Sequence, residues 1–135
     1  MLGRNYNKKL NVSKIWGDSL DLIKKNDLVV GNLEMTITDS ENKFPDKVFN
    51  YKLNTQYLHY FSPLKGKTIF NTANNHILDF RKEGMLDTFT HIREIDCNYI
   101  GSGVNMDDCR LPIIKNINGL IVMVFGASDH YDYWQ

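Results

Sequence analysis

The chain has 135 residues and a mass of 15.7 kDa, enough for one domain with a real hydrophobic core. Sixteen basic residues balance sixteen acidic ones, which excludes the basic footprint of a nucleic-acid binder. No apolar run approaches the roughly 20 residues that span a bilayer, and MLGRNYNKK lacks a secretion-signal core, so a cytoplasmic location is the default expectation.

Met1 to Asn11 is polar. From Ser13 to Lys25 the apolar positions Ile15, Trp16, Leu20, Leu22 and Ile23 recur at helical spacing, with Gly17 weakening the middle and Asn26 ending it. Leu28-Val29-Val30 reads as a short buried strand closing at Gly31, with Asn32-Leu33-Glu34 directly after it. Met35 to Lys47 is loop-like, and Val48 to Leu53 reads as a strand. Asn54 or Thr55 can cap a helix through Tyr57, Leu58 and Phe61, which Pro63 and Gly66 end.

Thr68-Ile69-Phe70 is the next strand, and the turn NTANNHILDF, Asn71 to Phe80, carries it into a helix. Gly84 to Ile95 is the best helical pattern, with Leu86, Phe89, Ile92 and Ile95 on one face and Asp87, Arg93 and Glu94 toward water. Asn98-Tyr99-Ile100 is a brief strand before the loop Gly101-Ser102-Gly103. Asn118-Gly119 between Leu111–Ile117 and Leu120–Phe125 predicts a tight β-hairpin, since this pair accepts positive φ at both turn positions. The unbroken apolar run Leu120 to Phe125 predicts a central strand covered on both faces. The expected class is α/β, with a mostly parallel sheet ending in an antiparallel hairpin.

Chemistry concentrates at two strand ends: Asn32 and Glu34 after one, Asn74, Asn75, His76 and Asp79 after the other. Neighbouring strand ends lie about 5 Å apart, so the two sets can converge. A carboxylate bridges divalent cations, an amide oxygen adds a neutral hard ligand, and an imidazole donates to a phosphate oxygen or a leaving group. The plainer reading stands beside it. Asn pairs in turns bond their own backbone, His76 can pack over the sheet, Asp79 can cap the following helix, and Glu34 can face solvent.

Other features are weaker. Gly101-Ser102-Gly103 lacks the full dinucleotide fingerprint, and neither a GxSxG elbow nor a full Walker-type GxxxxGK[ST] loop occurs. Asp129, His130 and Asp132 lie in an unpatterned tail, and His59 and His91 read as exposed helix faces. Cys97 and Cys109, without CxxC spacing, read as reduced thiols.

Four blocks in order, GNLE (Gly31 to Glu34), ANNHILDF (Ala73 to Phe80), EGMLDT (Glu83 to Thr88) and YIGSGVN (Tyr99 to Asn105), resemble the CapA family of capsule and poly-γ-glutamate biosynthesis proteins. The resemblance implies a calcineurin-like metallophosphoesterase fold, an α/β/β/α sandwich, incomplete here. Carried over by position, it implies Glu34 and Asn75 as metal ligands, His76 as the catalytic imidazole over a phosphoryl group, and Asn32, Asn74 and Asp79 in support. Arg81 stands where the family usually places Gly.

Met1 to Arg4 resembles the segment after the family's opening Gly-Asp, and the family's later histidine motifs have no counterpart before Gln135. The expectation is therefore a single partial domain over residues 1–135, cut at both ends relative to the family. A complete site of this kind holds two divalent metal ions, Mn, Fe or Zn; in this chain the expectation is weak binding or none. The implied substrate is an anionic polymer or a phosphoester, with no nucleic-acid partner and no membrane span. The alternative is a non-catalytic binding or remnant domain that keeps the fold without the hydrolysis.

Overall fold

The computed structural model describes residues 10–129, so Met1 to Arg4, His130 and Asp132 lie outside the described residues. Asn11 accepts a hydrogen bond from the Lys14 N–H at 2.8 Å and caps α1, Val12–Trp16. The single helix expected from Ser13 to Lys25 is two helices. Gly17 takes a φ of +52°, which ends α1 before α2, Ser19–Lys25. Trp16 anchors this pair, its indole N–H donating to the Tyr60 carbonyl at 2.7 Å beside the Phe61 ring.

Three strands form a parallel sheet in the order β1, β4, β5, where β1 is Val29–Asn32, β4 is Thr68–Asn71 and β5 is Asn98–Ile100. The register places Asn32 opposite Asn71 and Asn71 opposite Ile100. β4 lies in the middle and buries Thr68, Ile69 and Phe70 in succession, the mark of a strand covered on both faces. β1, expected to be buried, is an edge strand among the described residues and leaves Val30 exposed.

The expected loop from Met35 begins instead with a strand, β2, Thr36–Ile37, which pairs in parallel with β3, Lys52–Leu53. The strand expected from Val48 to Leu53 shrinks to its last two residues, because Val48 and Phe49 lie in solvent with no ladder partner. The helix after Asn54 is a 3₁₀ helix, Thr55–Leu64, and Pro63 lies inside it. Pro63 has no N–H for an α-type bond, and Gly66 turns the chain just beyond with a φ of +77°.

The long helix α3, Arg81–Glu94, starts a turn earlier than its apolar pattern predicts. Its buried residues are Gly84, Met85, Thr88, Phe89 and Ile92, whereas Leu86 is exposed and Asp87, expected to face water, accepts the Thr38 hydroxyl. The arc is wider because α3 also packs on β2. The Ile37 N–H donates to the Thr88 hydroxyl at 2.8 Å, and a Cβ at Gly84 would meet the Phe80 Cβ at 2.6 Å and Thr38 Cγ2 at 3.3 Å. A short helix without a sequence signal, α4, Met106–Arg110, is capped by Asn105.

The hairpin is as expected: β6, Ile113–Ile117, and β7, Leu120–Val124, pair antiparallel across Asn118 and Gly119, with φ of +52° and +89°. Its burial is not. Among the described residues β7 pairs only with β6, and Leu120, Ile121, Met123 and the following Phe125 are exposed, so the expected two-sided cover of this strand is corrected. Cys97 and Cys109 are free thiols, the first buried and the second half-exposed. Among the described residues no helix is long and apolar enough to cross a membrane.

Candidate functional site

The β1–β4 ladder brings the two chemistry-bearing strand ends together. Beyond the Asn32–Asn71 pair the Leu33 N–H donates to the Asn71 carbonyl at 3.0 Å, which holds Asn32-Leu33-Glu34 beside the turn that leaves β4. Asn74 locks that arrangement. Its amide Nδ2 donates to the Leu33 carbonyl at 2.9 Å and to Asn32 Oδ1 at 3.1 Å, while its Oδ1 accepts the His76 N–H at 3.0 Å. Asn32 also receives the Asn71 amide at 3.4 Å and donates to Glu34 Oε2 at 3.4 Å. Asn74 is buried, whereas Asn32 and Glu34 are exposed. Asn74 thus bonds local backbone, as the plainer reading expects, and also the Asn32 side chain.

His76 is buried against the Tyr51 ring, the two ring centres 4.4 Å apart and tilted by 34°. Its Nδ1 lies 2.7 Å from Asp79 Oδ2. Asp79 is 0% exposed and does not cap α3, whose first turn has no side-chain cap. Instead its carboxylate receives His76, the Tyr51 N–H and the Lys47 ammonium. This contact occupies Nδ1 and leaves Nε2 for other chemistry. Lys47 also donates to the backbone carbonyl of Asn75, a half-buried residue.

Lys47 and Tyr51 belong to the connection between β2 and β3, and no spacing rule ties them to partners 25 or more residues later. A hint was present in the composition of the turn: a carboxylate embedded among Ile77, Leu78 and Phe80 needs a cation from somewhere.

On the other side of the turn, Thr72 donates its N–H and its hydroxyl to the Ile100 carbonyl at 3.0 and 2.9 Å and meets the Ser102 hydroxyl. Gly101, with a φ of +82°, is pressed against Gly126. A Cβ on Gly126 would stand 2.8 Å from the Gly101 Cα and 2.5 Å from Asn71 Oδ1. The end of β7 therefore docks on the carboxyl end of the sheet through bare backbone. A cleft of about 510 Å³ opens here, lined by Asn74, Ile77, Ser102, Asn105 and Met106 among others.

Glu34 and Asn75 offer the hard oxygen donors that suit a divalent cation, and the Asp79–His76 pair has the carboxylate–imidazole form that orients a ligand or a proton donor. Among the described residues no three His, Cys, Asp or Glu side chains gather closely enough to hold a metal ion by themselves. The remaining histidines lie elsewhere: His59 is exposed and His91, half-buried rather than exposed, pairs with Glu94 at 2.7 Å. Asp129 is exposed at the end of the described residues.

The model of a family described as bacterial capsule synthesis protein PGA_cap matches residues 1–135. The capsule biosynthesis protein CapA of Bacillus anthracis is 27% identical over 97% of this chain and 33% of its own length. The PGA biosynthesis protein CapA of Bacillus subtilis is 28% identical over 80% of this chain and 29% of its own. A probable polyglutamine synthesis accessory protein of Mycobacterium tuberculosis is 30% identical over 67% of this chain and 24% of its own. The chain spans about a third or less of the length of these relatives.

Proposed function

Since this chain belongs to the bacterial capsule synthesis PGA_cap family, we propose that it serves in building or exporting an anionic polymer such as poly-γ-glutamate, using one corner of a metallophosphoesterase-type site. The observation that supports the reading is the contact between the ends of two adjacent parallel strands, where Asn74 donates to Asn32 and Asn32 to Glu34, with Asn75 and His76 next in the same turn. The calcineurin-like sandwich is the arrangement that such strand ends serve.

Each residue has a task that follows from its surroundings. Glu34 and Asn75 would hold a divalent cation, which when bound polarises a phosphoryl oxygen. Asn74 keeps Asn32 and the His76 backbone in register. His76, oriented through Nδ1 by Asp79, presents Nε2 to take or give a proton at a phosphoester oxygen.

Calorimetric titration with Mn²⁺ or Zn²⁺ tests the site. The expected result is weak binding that Glu34→Ala abolishes. Tight binding untouched by Glu34→Ala would sink the assignment.

A second reading, a binding domain without hydrolysis, is favoured by the lack of a three-ligand cluster among the described residues. Hydrolysis of an aryl phosphate in the presence of Mn²⁺ separates the two. Turnover lost in His76→Ala supports the enzyme; polymer binding without turnover supports the second reading.

A further inference from the structure

We propose that the cleft beside Asn74, at the carboxyl end of the sheet, binds an uncharged organic group, the part of a phosphoester substrate that carries no charge. Assigning that group to a phosphoester rests on the reading above; the neutrality of the cleft does not.

Composition sets the class of ligand. A chain that is 24% charged walls this space, among the described residues, without one Lys, Arg, His, Asp or Glu. Ile77, Leu78, Met85 and Met106 supply apolar surface. Three of the polar side chains between them already have partners. Asn74 commits its amide to Leu33, Asn32 and the His76 N–H. Asn105 accepts the Asp108 N–H at 2.8 Å and donates to the Asp108 carboxylate at 3.0 Å. Ser102 meets the Thr72 hydroxyl at 2.5 Å.

An anion entering here would give up part of its hydration and meet no cation. Each unit of poly-γ-glutamate keeps a free carboxylate, so the polymer is disfavoured in this cleft. A neutral ring or short chain meets no such penalty and gains from apolar contact.

The space is held open by close approach of backbone. A Cβ on Gly101 would stand 2.6 Å from the Ala73 Cβ, and one on Gly103 would stand 2.6 Å from the Asp108 Cβ. Bare glycine at both points lets the loop settle between the turn and α4, which fixes the walls. The volume of about 510 Å³ falls within the range of roughly 300–1,000 Å³ that takes small organic ligands.

Ala73, Asn74, Ile77 and Leu78 line the cleft, while Asn75 and His76, the intervening residues, engage Lys47 and Tyr51. One turn thus carries both the phosphoryl-handling side chains and a neutral wall. A phosphoester, charged at one end and uncharged at the other, needs both.

Cys109 lines the cleft, is half-exposed and reports occupancy. Its alkylation by N-ethylmaleimide is followed peptide by peptide, which keeps buried Cys97 apart. The probes are methoxycoumarin, an uncharged ring, inorganic phosphate and a tri-γ-glutamate peptide. Methoxycoumarin at about ten times its Kd, set by fluorescence titration, should slow Cys109 on the order of tenfold. Phosphate and the peptide should leave the rate unchanged. Met106→Glu, at a 45% exposed position, puts a carboxylate at the wall and should weaken methoxycoumarin on the order of tenfold, whereas Met106→Leu should not. Val104→Asp, 56% exposed and in the same lining, covers a failure of the first variant to fold.

Methoxycoumarin that does not bind, or binds without slowing Cys109, would overturn the site. So would binding untouched by a folded Met106→Glu or Val104→Asp chain. Equal protection by phosphate or by the peptide would overturn the neutral character. The phosphoesterase reading fails separately: absent turnover of methylumbelliferyl phosphate with Mn²⁺, while methoxycoumarin still protects Cys109, removes the phosphoester and keeps the neutral site.

Discussion

β4 and β7 are both short apolar strands, yet β4 buries Thr68, Ile69 and Phe70 while Leu120, Ile121 and Met123 of β7 lie open to solvent. Each has the composition of a core strand. β4 is flanked by β1 and β5 and covered by Phe61 on one side, whereas among the described residues β7 has β6 alone. A two-stranded hairpin is marginal by itself, and this one is held at its tip by Asn118 to Asp27 at 3.3 Å and at its end by Gly126 against Gly101. Burial is thus a property of neighbours, and the candidate site grows from the strand that has them.

The largest separation between the regions should come from truncating the core of the first. Ile37→Ala and Phe80→Ala, both at fully buried positions, are expected to cost about 3–5 kcal/mol in urea unfolding. Ile121→Thr or Phe125→Ser in the hairpin should cost no more than about 0.5 kcal/mol. A hairpin cost as large as the core cost would mean that the two regions are one cooperative core in solution.

The join between them comes next. Gly126→Ala must push apart Gly101 and Asn71, and a loss of about 1–3 kcal/mol is expected, with weakened protection of the β6 and β7 amides in hydrogen exchange.

The buried region also has its own pH signature. Burial, together with nearby Asp96, pushes the Cys97 thiol from an ordinary value of 9.0 up to about 11. The folded state therefore keeps this proton after the unfolded chain has lost it. Stability falls as pH rises from about 9 toward 11, and Cys97→Ala should remove that part of the slope. Alkylation at neutral pH should reach half-exposed Cys109 well before Cys97.

The smallest effect is at the start of α3, where Arg81 sits at a φ of +57°, in the left-handed region. Arg81→Gly should be neutral or stabilising by up to about 1 kcal/mol, since only the Arg81 Nε bond to the Lys43 carbonyl at 3.3 Å is given up. A clear loss of stability would show that this bond outweighs the backbone strain.

Much of the fold was legible because its signals are local: the Asn-Gly turn, the amphipathic α3, the apolar triplet of β4 and the polar run after it. The position of Arg81 is a further case, since the Gly that the family resemblance leads one to expect there suits the left-handed turn the chain makes. What escaped depends on tertiary neighbours. β2 is two residues in a Thr-rich stretch, and its burial under Gly84 and Thr88 leaves no alternation to read. The exposure of β7 escaped for the opposite reason, because an apolar run says nothing of how many strands will flank it. At the site, the residues of the turn could be singled out, but Lys47 is one lysine among many until Asp79 is known to be buried beside it.

The pairing of Asn32 with Asn71, 39 residues further on, also gives the site a moment of birth. Glu34 leaves the ribosome well before Asp79, and no local contact can hold its partners in place meanwhile. At synthesis rates of about 5–20 residues per second, the two corners are separated by a few seconds in which β1 lacks the β4 ladder. Through that interval the side of β1 that β4 will cover stays open, and the closing of β4 completes it.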